Sequence, residues 1–591
     1  MARHITVDLE CAGTQLVQPN GMHSLVLRQS IYAHHAFEIT LPFDKAEGYQ
    51  TGFLAKTPEQ LVGKAFSLRL TADTFTFNKG QQFAFKGLIT NLQTGRDRDA
   101  AVLVVRGLSP CYLLASGLKK RTFVNQTLSA IFEQVLKPFP DNLLPRQLSP
   151  RHRAPLPYVV QYQETNFDFL SRLAAEYGEW FCYDGNTLHL GPPPTNETVE
   201  FYADGTCSGF SFSLALKPTS ATLYDYDYEQ HRQLTSETKA QSLAKLESHR
   251  FSGLALRESE KLFPDAAHVA AETPVAGAGA LAAEAKAYKA AATADLVTVS
   301  GYSDNPLLKL GGLLAMKGPG LGSQLSAKEP AESFGTYRVV ELSHYVTEEG
   351  AYSNTFTAVP DLLDTPPFNP NYDAPTGTPE LAEVIDAQDP ANLGRVRARY
   401  YWPVAQPQQA ETDWLRVLTP YSGGGKGQLF TPEVGSQVLI GYESNLAEQP
   451  YVLGNLFHGH NPAQASYTHQ GGQIKGIQTL AGNRITFFEQ PGEEKIVITH
   501  GQHKETALEI SFKGKGKIEI RTPGDLSLQA GQNVSIEAGQ NLSLKAGKKL
   551  SVQAEELKSE TSQATSLKAS AKLTVAGSGG VDVKGIMKQS S

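Results

Sequence analysis

Apolar positions follow different rules in successive stretches of this chain. Over residues 1–365, strand-like and helix-like patterns are mixed. Residues 37–42 and 101–105 read as strands. Over 127–136, Leu128, Ile131, Phe132, Val135 and Leu136 fall on one side of a helix, which Pro138 stops. Residues 166–177 predict a second helix with Phe167, Leu170, Leu173 and Ala174 on its apolar face. Asn166 is the expected N-cap and Gly178 the expected stop. Residues 265–293, rich in Ala, Glu and Lys, read as helix, with a loop expected near 276–280. The stretch is α+β in character.

A run with Pro366, Pro367, Pro370, Pro375 and Pro379 then reads as a linker over 366–379. Over 380–463 the strands are short and the turns Gly-rich. Residues 395–401 alternate polar and apolar, and 434–442 and 451–457 are further strands. About 80 residues of this kind fit a small barrel such as an OB-fold. A connecting β segment follows over 464–523.

The tail, 524–591, repeats every eight residues. Gly-Asp-Leu-Ser-Leu-Gln-Ala-Gly at 524–531 is followed by Gln-Asn-Val-Ser-Ile-Glu-Ala-Gly, Gln-Asn-Leu-Ser-Leu-Lys-Ala-Gly and Lys-Lys-Leu-Ser-Val-Gln-Ala-Glu. After a slip of one residue the pattern resumes more weakly at Leu573/Val575 and Val581/Val583. A fixed period signals stacked units. The aliphatic-Ser-aliphatic triplet is a strand with both aliphatics on one face, and the Ala-Gly-x-Asn segment is a corner. Eight residues cannot encircle a core. One chain would need about three octads per turn at about 3.3 Å per residue, and no three-octad super-period is visible. The pattern therefore predicts three chains, each supplying one side of a triangular prism. Leu526, Leu528, Val534, Ile536, Leu542, Leu544, Leu550 and Val552 are the expected inward core, with Gln529, Glu537, Lys545 and Gln553 facing water.

Composition supports this picture. The last aromatic residue is Phe512, and after Pro523 there is no Phe, Tyr, Trp, Pro or Cys. The tail must therefore pack without aromatic volume. The 591 residues give a prior of about four domains. Net charge is −7, which argues against a dedicated nucleic-acid binder or a polybasic membrane anchor. Cys11, Cys111, Cys182 and Cys207 show no metal spacing, and four cysteines in so long a chain make no disulfide framework. The N-terminal residues lack the apolar region of a signal peptide, and no run of about 18 apolar residues occurs. The expected first location is the cytoplasm.

This order of base, barrel and needle resembles the VgrG-type spike proteins of type VI secretion systems, and the hub-and-spike of phage tails and related contractile injection systems. Residues 158–178, with Gln161, Tyr162, Glu164, Phe169, Arg172, Leu173 and Gly178, are similar to a family segment. So is the following strand pair 180–190. In the barrel, 394–402, 414–417, 430–435, 438–442 and 450–456 follow in the family's order, and 482–487 and 494–498 resemble strands that join barrel to needle. The resemblance implies a phage-hub-like base (1–365), an OB-fold barrel and an intertwined trimeric β-helix needle. It implies a homotrimer with an Hcp-like tube protein at the base and a PAAR-type tip protein at the needle end. Val581, Val583, Ile586 and Met587 are the candidate tip-docking residues. Effectors, adaptors and baseplate proteins are further partners, and the target membrane is met only by puncture. The spike would be secreted or translocated on firing. The sequence reads without an effector domain after the needle or a lysozyme-like domain between barrel and needle, so the expectation is a structural protein with no cofactor, not an enzyme.

Other motifs carry less. Gly423-Gly-Gly-Lys426-Gly427 is similar to a phosphate loop but lacks the following Ser or Thr and helix, so it reads as a barrel loop. His458 and His460, with His469, His500 and His503 beyond, lack a Cys or carboxylate at ligand spacing, and no metal is assigned. Arg395, Arg397 and Arg399 share one strand face. With Tyr401 or Trp414 they could track single-stranded nucleic acid, which keeps a rival open: an OB-fold nucleic-acid- or glycan-binding protein with a β-solenoid stalk. No Gly-x-Ser-x-Gly elbow is present, and a spike-linked hydrolase is the weakest reading.

Overall fold

A computed structural model describes residues 3–47, 54, 56–72, 82–97, 100–193, 198–203, 208–273, 275, 277–320, 332–461 and 468–586. The chain divides into two units, Met1–Gln464 and Ala465–Ser591.

The base of the first unit is mostly β. Its largest sheet has 13 strands. Within it the antiparallel pairing closes into a ring: Glu332–Thr347, Ser24–Ser30, Ala36–Pro42, Ala100–Leu108, Gln82–Asp97, Ala65–Ala72, Arg3–Cys11 and Ala351–Pro360, which pairs again with Glu332–Thr347. Alternation fills the ring's interior. Phe37, Ile39 and Leu41 on one strand meet Phe66, Leu68 and Leu70 on another in one core. Phe37 and Phe66 stack with ring centroids 4.4 Å apart. Gly107 is required there, because a Cβ would lie 2.3 Å from the Phe37 ring. The expected strands at 37–42 and 101–105 lie in this ring.

The helices Leu128–Leu136 and Asn166–Glu176 pack against it. The first buries the five apolar residues expected of it. The second differs in two details. Its N-cap is Thr165, whose hydroxyl accepts from the Asp168 N–H, while Asn166 is already helical. Its buried face is Phe169, Leu170, Leu173, Ala174 and Arg172, with Phe167 only partly covered. The stretch 265–293 is not one helix. Ala267–Ala270 is a strand parallel to Ala221–Asp227, and helix runs only over Ala278–Thr293. Composition alone favoured helix throughout, but tertiary pairing overrode propensity at the first segment. The expected loop near 276–280 is partly this helix, whose first residue is Ala278; residue 276 lies outside the described residues.

The barrel strands run in the order Arg397–Tyr400, Glu380–Asp386, Gln437–Tyr442, Pro450–Asn455. The bridges Val396 to Leu415 and Val417 to Val452 bring a further segment across both edges and close the sheet. Val384, Val396, Ala398, Leu415, Val438, Ile440 and Val452 fill it.

In the second unit, five strands form an antiparallel meander: Ile474–Gln478, Asn483–Phe488, Lys495–His500, Ala507–Ser511 and Lys517–Arg521. Ile477, Ile485, Ile498, Leu508 and Ile520 stand opposite one another in register across all five. Phe487, Ile496, Ile510 and Ile518 make a second row two residues away, on the same face. From residue 524 onward the described chain has neither helix nor strand.

Candidate functional site

In the first unit the strand Pro155–Glu164 ties base to barrel. Tyr158, Val160 and Tyr162 alternate into the barrel core, while Val159 belongs to the core of the base. The helix that follows supplies Arg172, whose side chain is 3% exposed. Its Nε donates to Glu164 Oε1 at 2.7 Å and its Nη2 to Glu164 Oε2 at 3.0 Å. Its Nη1 donates to Glu176 one turn on, and to Glu448 of the barrel at 3.1 Å. Nη2 also meets the Val160 carbonyl at 2.9 Å. Glu448 accepts in turn from the Val160 N–H at 3.3 Å. Burial pushes the Glu448 carboxyl up to about 8, and the neighbouring Glu176 charge adds to the rise. Burial raises Glu176 as well, against the pull of Arg172. One cation thus serves three carboxylates in a dry junction, and its loss would strand them.

A second tie is Arg395. Its guanidinium holds Asp389 through Nε at 3.1 Å and Nη2 at 2.9 Å, and reaches Tyr228 at 2.8 Å and Glu229 at 2.6 Å on the base. That guanidinium, helped by the N–H groups of Ala391, Leu393 and Arg395, keeps the Asp389 carboxyl well below its usual range. Arg397 and Arg399 both bind Glu411, at 3.2 and 2.8 Å. The three arginines expected on one strand face are therefore engaged by carboxylates of their own unit. Tyr401 is exposed beside them.

The Gly423–Gly427 loop is an exposed two-residue hairpin, Ser422–Gly423 with Lys426–Gly427, and no helix follows it. The rings of His458 and His460 lie tilted to each other with centroids 6.4 Å apart, and those of His500 and His503 at 5.0 Å. Among the described residues no group of His, Cys, Asp or Glu is arranged to hold a metal. Cys11, Cys111 and Cys182 are buried thiols, and Cys207 lies outside the described residues.

The octad tail presents the opposite problem. Leu526, Leu528, Val534, Ile536, Leu542, Leu544, Leu550 and Val552 are all exposed in the single chain, from 57% at Leu542 to 72% at Leu528. Val581, Val583 and Ile586 are exposed too, and Met587 lies outside the described residues. Among the described residues 524–576 the backbone makes no hydrogen bond to other backbone. The chain bends at 523–524, 531–532, 539–540, 547–548, 555, 562–563, 570–571 and 578–579. The corners thus keep their spacing through 556–570, where the sequence pattern fades. There Leu557 and Leu567 stand at the aliphatic positions, with Ser559 and Thr565 as their mates.

Two residues that matter at the junction, Arg172 and Glu448, were not singled out for their charge by sequence pattern. A signal existed for the first. Arg172 stands inside the apolar stripe of its helix, beside Phe169 and Leu173 and four residues before Glu176, where an unpaired cation would be costly. Glu448 has no such local signal.

Residues 53–350 match the family described as phage tail baseplate hub (GPD), and residues 380–457 the type VI secretion system/phage-baseplate injector OB domain. Among curated relatives, the type VI secretion system spike protein VgrG4b of Pseudomonas aeruginosa is 25% identical over 58% of this chain and 45% of its own length. VgrG1a, a type VI spike protein of the same organism, is 22% identical over 78% of this chain and 74% of its own length. The chain therefore spans about half the length of the first and three quarters of the second. Among solved structures, the half-lidded Francisella PdpA-VgrG complex aligns with a TM-score of 0.55 at 10% identity, over 88% of both chains. That likeness concerns the fold: a hub with an OB domain, mostly β.

Proposed function

Given that the chain belongs to the phage tail baseplate hub family, as a VgrG-type spike, we propose that it acts as the homotrimeric spike of a contractile injection machine. Its base, 1–365, caps the inner tube, the barrel of 380–463 and the β segment of 464–523 carry the load, and residues 524–591 form the puncturing needle. The observation that carries this reading is the unmet demand of the tail. Each octad offers two uncovered aliphatic side chains, and among the described residues 524–576 the backbone makes no hydrogen bond to other backbone. Burying an aliphatic side chain contributes about 1.5 kcal/mol or more, and unpaired backbone is costly wherever water is excluded. A single-chain solenoid would hydrogen-bond one coil to the next within the chain. Rungs supplied by neighbouring copies meet both demands at once, which favours the intertwined trimer.

In that arrangement Leu526 to Val552 fill the axis. The apolar face of the five-stranded meander packs against its two copies. Val581, Val583, Ile586 and Met587 form the seat for a PAAR-type tip protein, and an Hcp-like tube protein docks at the base. The mechanism is mechanical: a stiff prism of small cross-section concentrates the force of a contracting sheath, and the spike leaves the cytoplasm when it fires. No side chain is assigned to catalysis. The nucleic-acid reading is disfavoured by the pairing of Arg397 and Arg399 with Glu411.

The test is release of the tube protein into the medium by cells that lack this chain. Wild-type chain should restore release and the Ile536→Asp chain should not. Restoration by both would contradict the needle reading, and release without any chain would contradict the spike reading.

A further inference from the structure

A cavity of about 390 Å³ opens beside the base–barrel junction, between the helices Asn166–Glu176 and Ala278–Thr293. Nothing in the spike reading uses it. Its wall combines Tyr177, Tyr288, Phe368 and Tyr372 with Glu176, Glu272 and Glu284. Tyr288 and Phe368 meet edge to face, 5.1 Å between centroids. The Tyr372 hydroxyl bridges two of the carboxylates, bonding to Glu272 and lying 3.3 Å from Glu176. Among the described residues no Lys or Arg lines the space, and neither Glu272 nor Glu284 forms an ion pair. Glu176 has a side chain only 8% exposed, and its Oε2 is buried without a hydrogen-bond partner. Three carboxyls are thus gathered against aromatic faces, and of the three only Glu176 has an ion-pair partner in the chain, Arg172.

Aromatic rings attract a cation over their faces, and carboxylates fix its N–H groups. A bare metal ion is disfavoured, because the oxygens do not converge as a ligand set. The volume suits a small organic group. We infer that this cavity is a receptor for one organic ammonium group, such as a lysine side chain of a bound protein or a free alkyl amine. Burial supports the assignment by pushing Glu272 and Glu284 up to about 7 each. Glu176, Arg172 and Asp373 act on the first, and Asp225, Glu176 and Glu272 on the second. An arriving cation would stabilise both as carboxylates, so binding should weaken as pH falls through this range.

The test is calorimetric titration of the full chain with N-acetyl-lysine methylamide, with cadaverine and with the neutral N-acetyl-norleucine methylamide, at pH 8 and pH 6. Saturable binding of either amine at pH 8, roughly tenfold weaker at pH 6 and absent for the norleucine compound, is the expected result. Tighter binding of the blocked lysine assigns the site to a protein side chain, and tighter binding of cadaverine to a free amine. Glu284→Gln should cost roughly tenfold in affinity, as should Tyr288→Leu, with each variant's thermal unfolding matched to wild type to show that it folds. Absence of saturable binding by both amines at millimolar concentration overturns the proposal. So does equal binding of the norleucine compound, or variants that fold but bind as wild type.

Discussion

The strand Ala36–Pro42 and the octad 532–539 are written in the same alphabet and reach opposite ends. In the first, Phe37, Ile39 and Leu41 alternate with polar residues and are covered by their own chain, at 2%, 0% and 0% exposure. In the second, Val534 and Ile536 alternate with polar residues and stay open at 62% and 63%. Alternation states that a face must be covered; it does not state by what. The base answers from within, with paired strands on both sides and aromatic volume from Phe37, Phe66 and Phe85. The tail has no aromatic residue, and among its described residues 524–576 the backbone makes no hydrogen bond to other backbone. In the proposed trimer the other copies supply that cover.

The sharpest way to break this contrast is Ile536→Asp. On a dry trimer axis it places three charges together, each costing several kcal/mol, so assembly should be abolished while the circular dichroism of the base survives. Unchanged assembly would mean that the residue faces water. Next in size, Arg172→Met leaves Glu164, Glu176 and Glu448 without their cation. It should lower the stability of the first unit by about 3–5 kcal/mol, read by chemical denaturation. Leu68→Ala in the base should cost about 2–5 kcal/mol at any protein concentration. The cost of Leu544→Ala should instead depend on concentration if, as proposed, its partners are other copies.

Smaller is the pH effect at the acidic cavity. Glu272 and Glu284 titrate near 7 in the folded chain against an ordinary 4.5. The folded state therefore holds protons that the unfolded chain releases between these values, and this contribution to stability falls as pH rises from about 4.5 to 7. The double change Glu272→Gln with Glu284→Gln should flatten the thermal stability profile across that window; an unaltered slope would remove these residues as its cause. Smallest of all, Lys545→Ser, on the face of the octads proposed to meet water, should shift stability by no more than about 0.5 kcal/mol. A collapse of assembly there would reverse the inward register.

Local pattern carried far in the base. The helix Leu128–Leu136 was legible because five apolar residues at helical spacing precede a proline. The strand Ala267–Ala270 was not, because its Ala-rich sequence satisfies a helix as well as a strand, and only the distant Ala221–Asp227 decides. Arg395 illustrates a similar limit. Alternation placed it with Arg397 and Arg399, but Asp389, Tyr228 and Glu229 draw it into the junction. In the tail the aliphatic register was plain from 524 to 555 and then faded, since Ser559 and Thr565 replace aliphatics while the corners persist. The cavity was invisible in the sequence. Glu176, Glu272, Glu284 and Tyr372 lie on separate segments, and no local pattern links them.

The most direct test of the central claim is the solution mass of the purified chain by light scattering after size exclusion, beside a truncation ending before Gly524. The account predicts three times the 64.1 kDa chain mass for the full protein, with loss or weakening of that trimer on truncation. A monodisperse full-length monomer would contradict it.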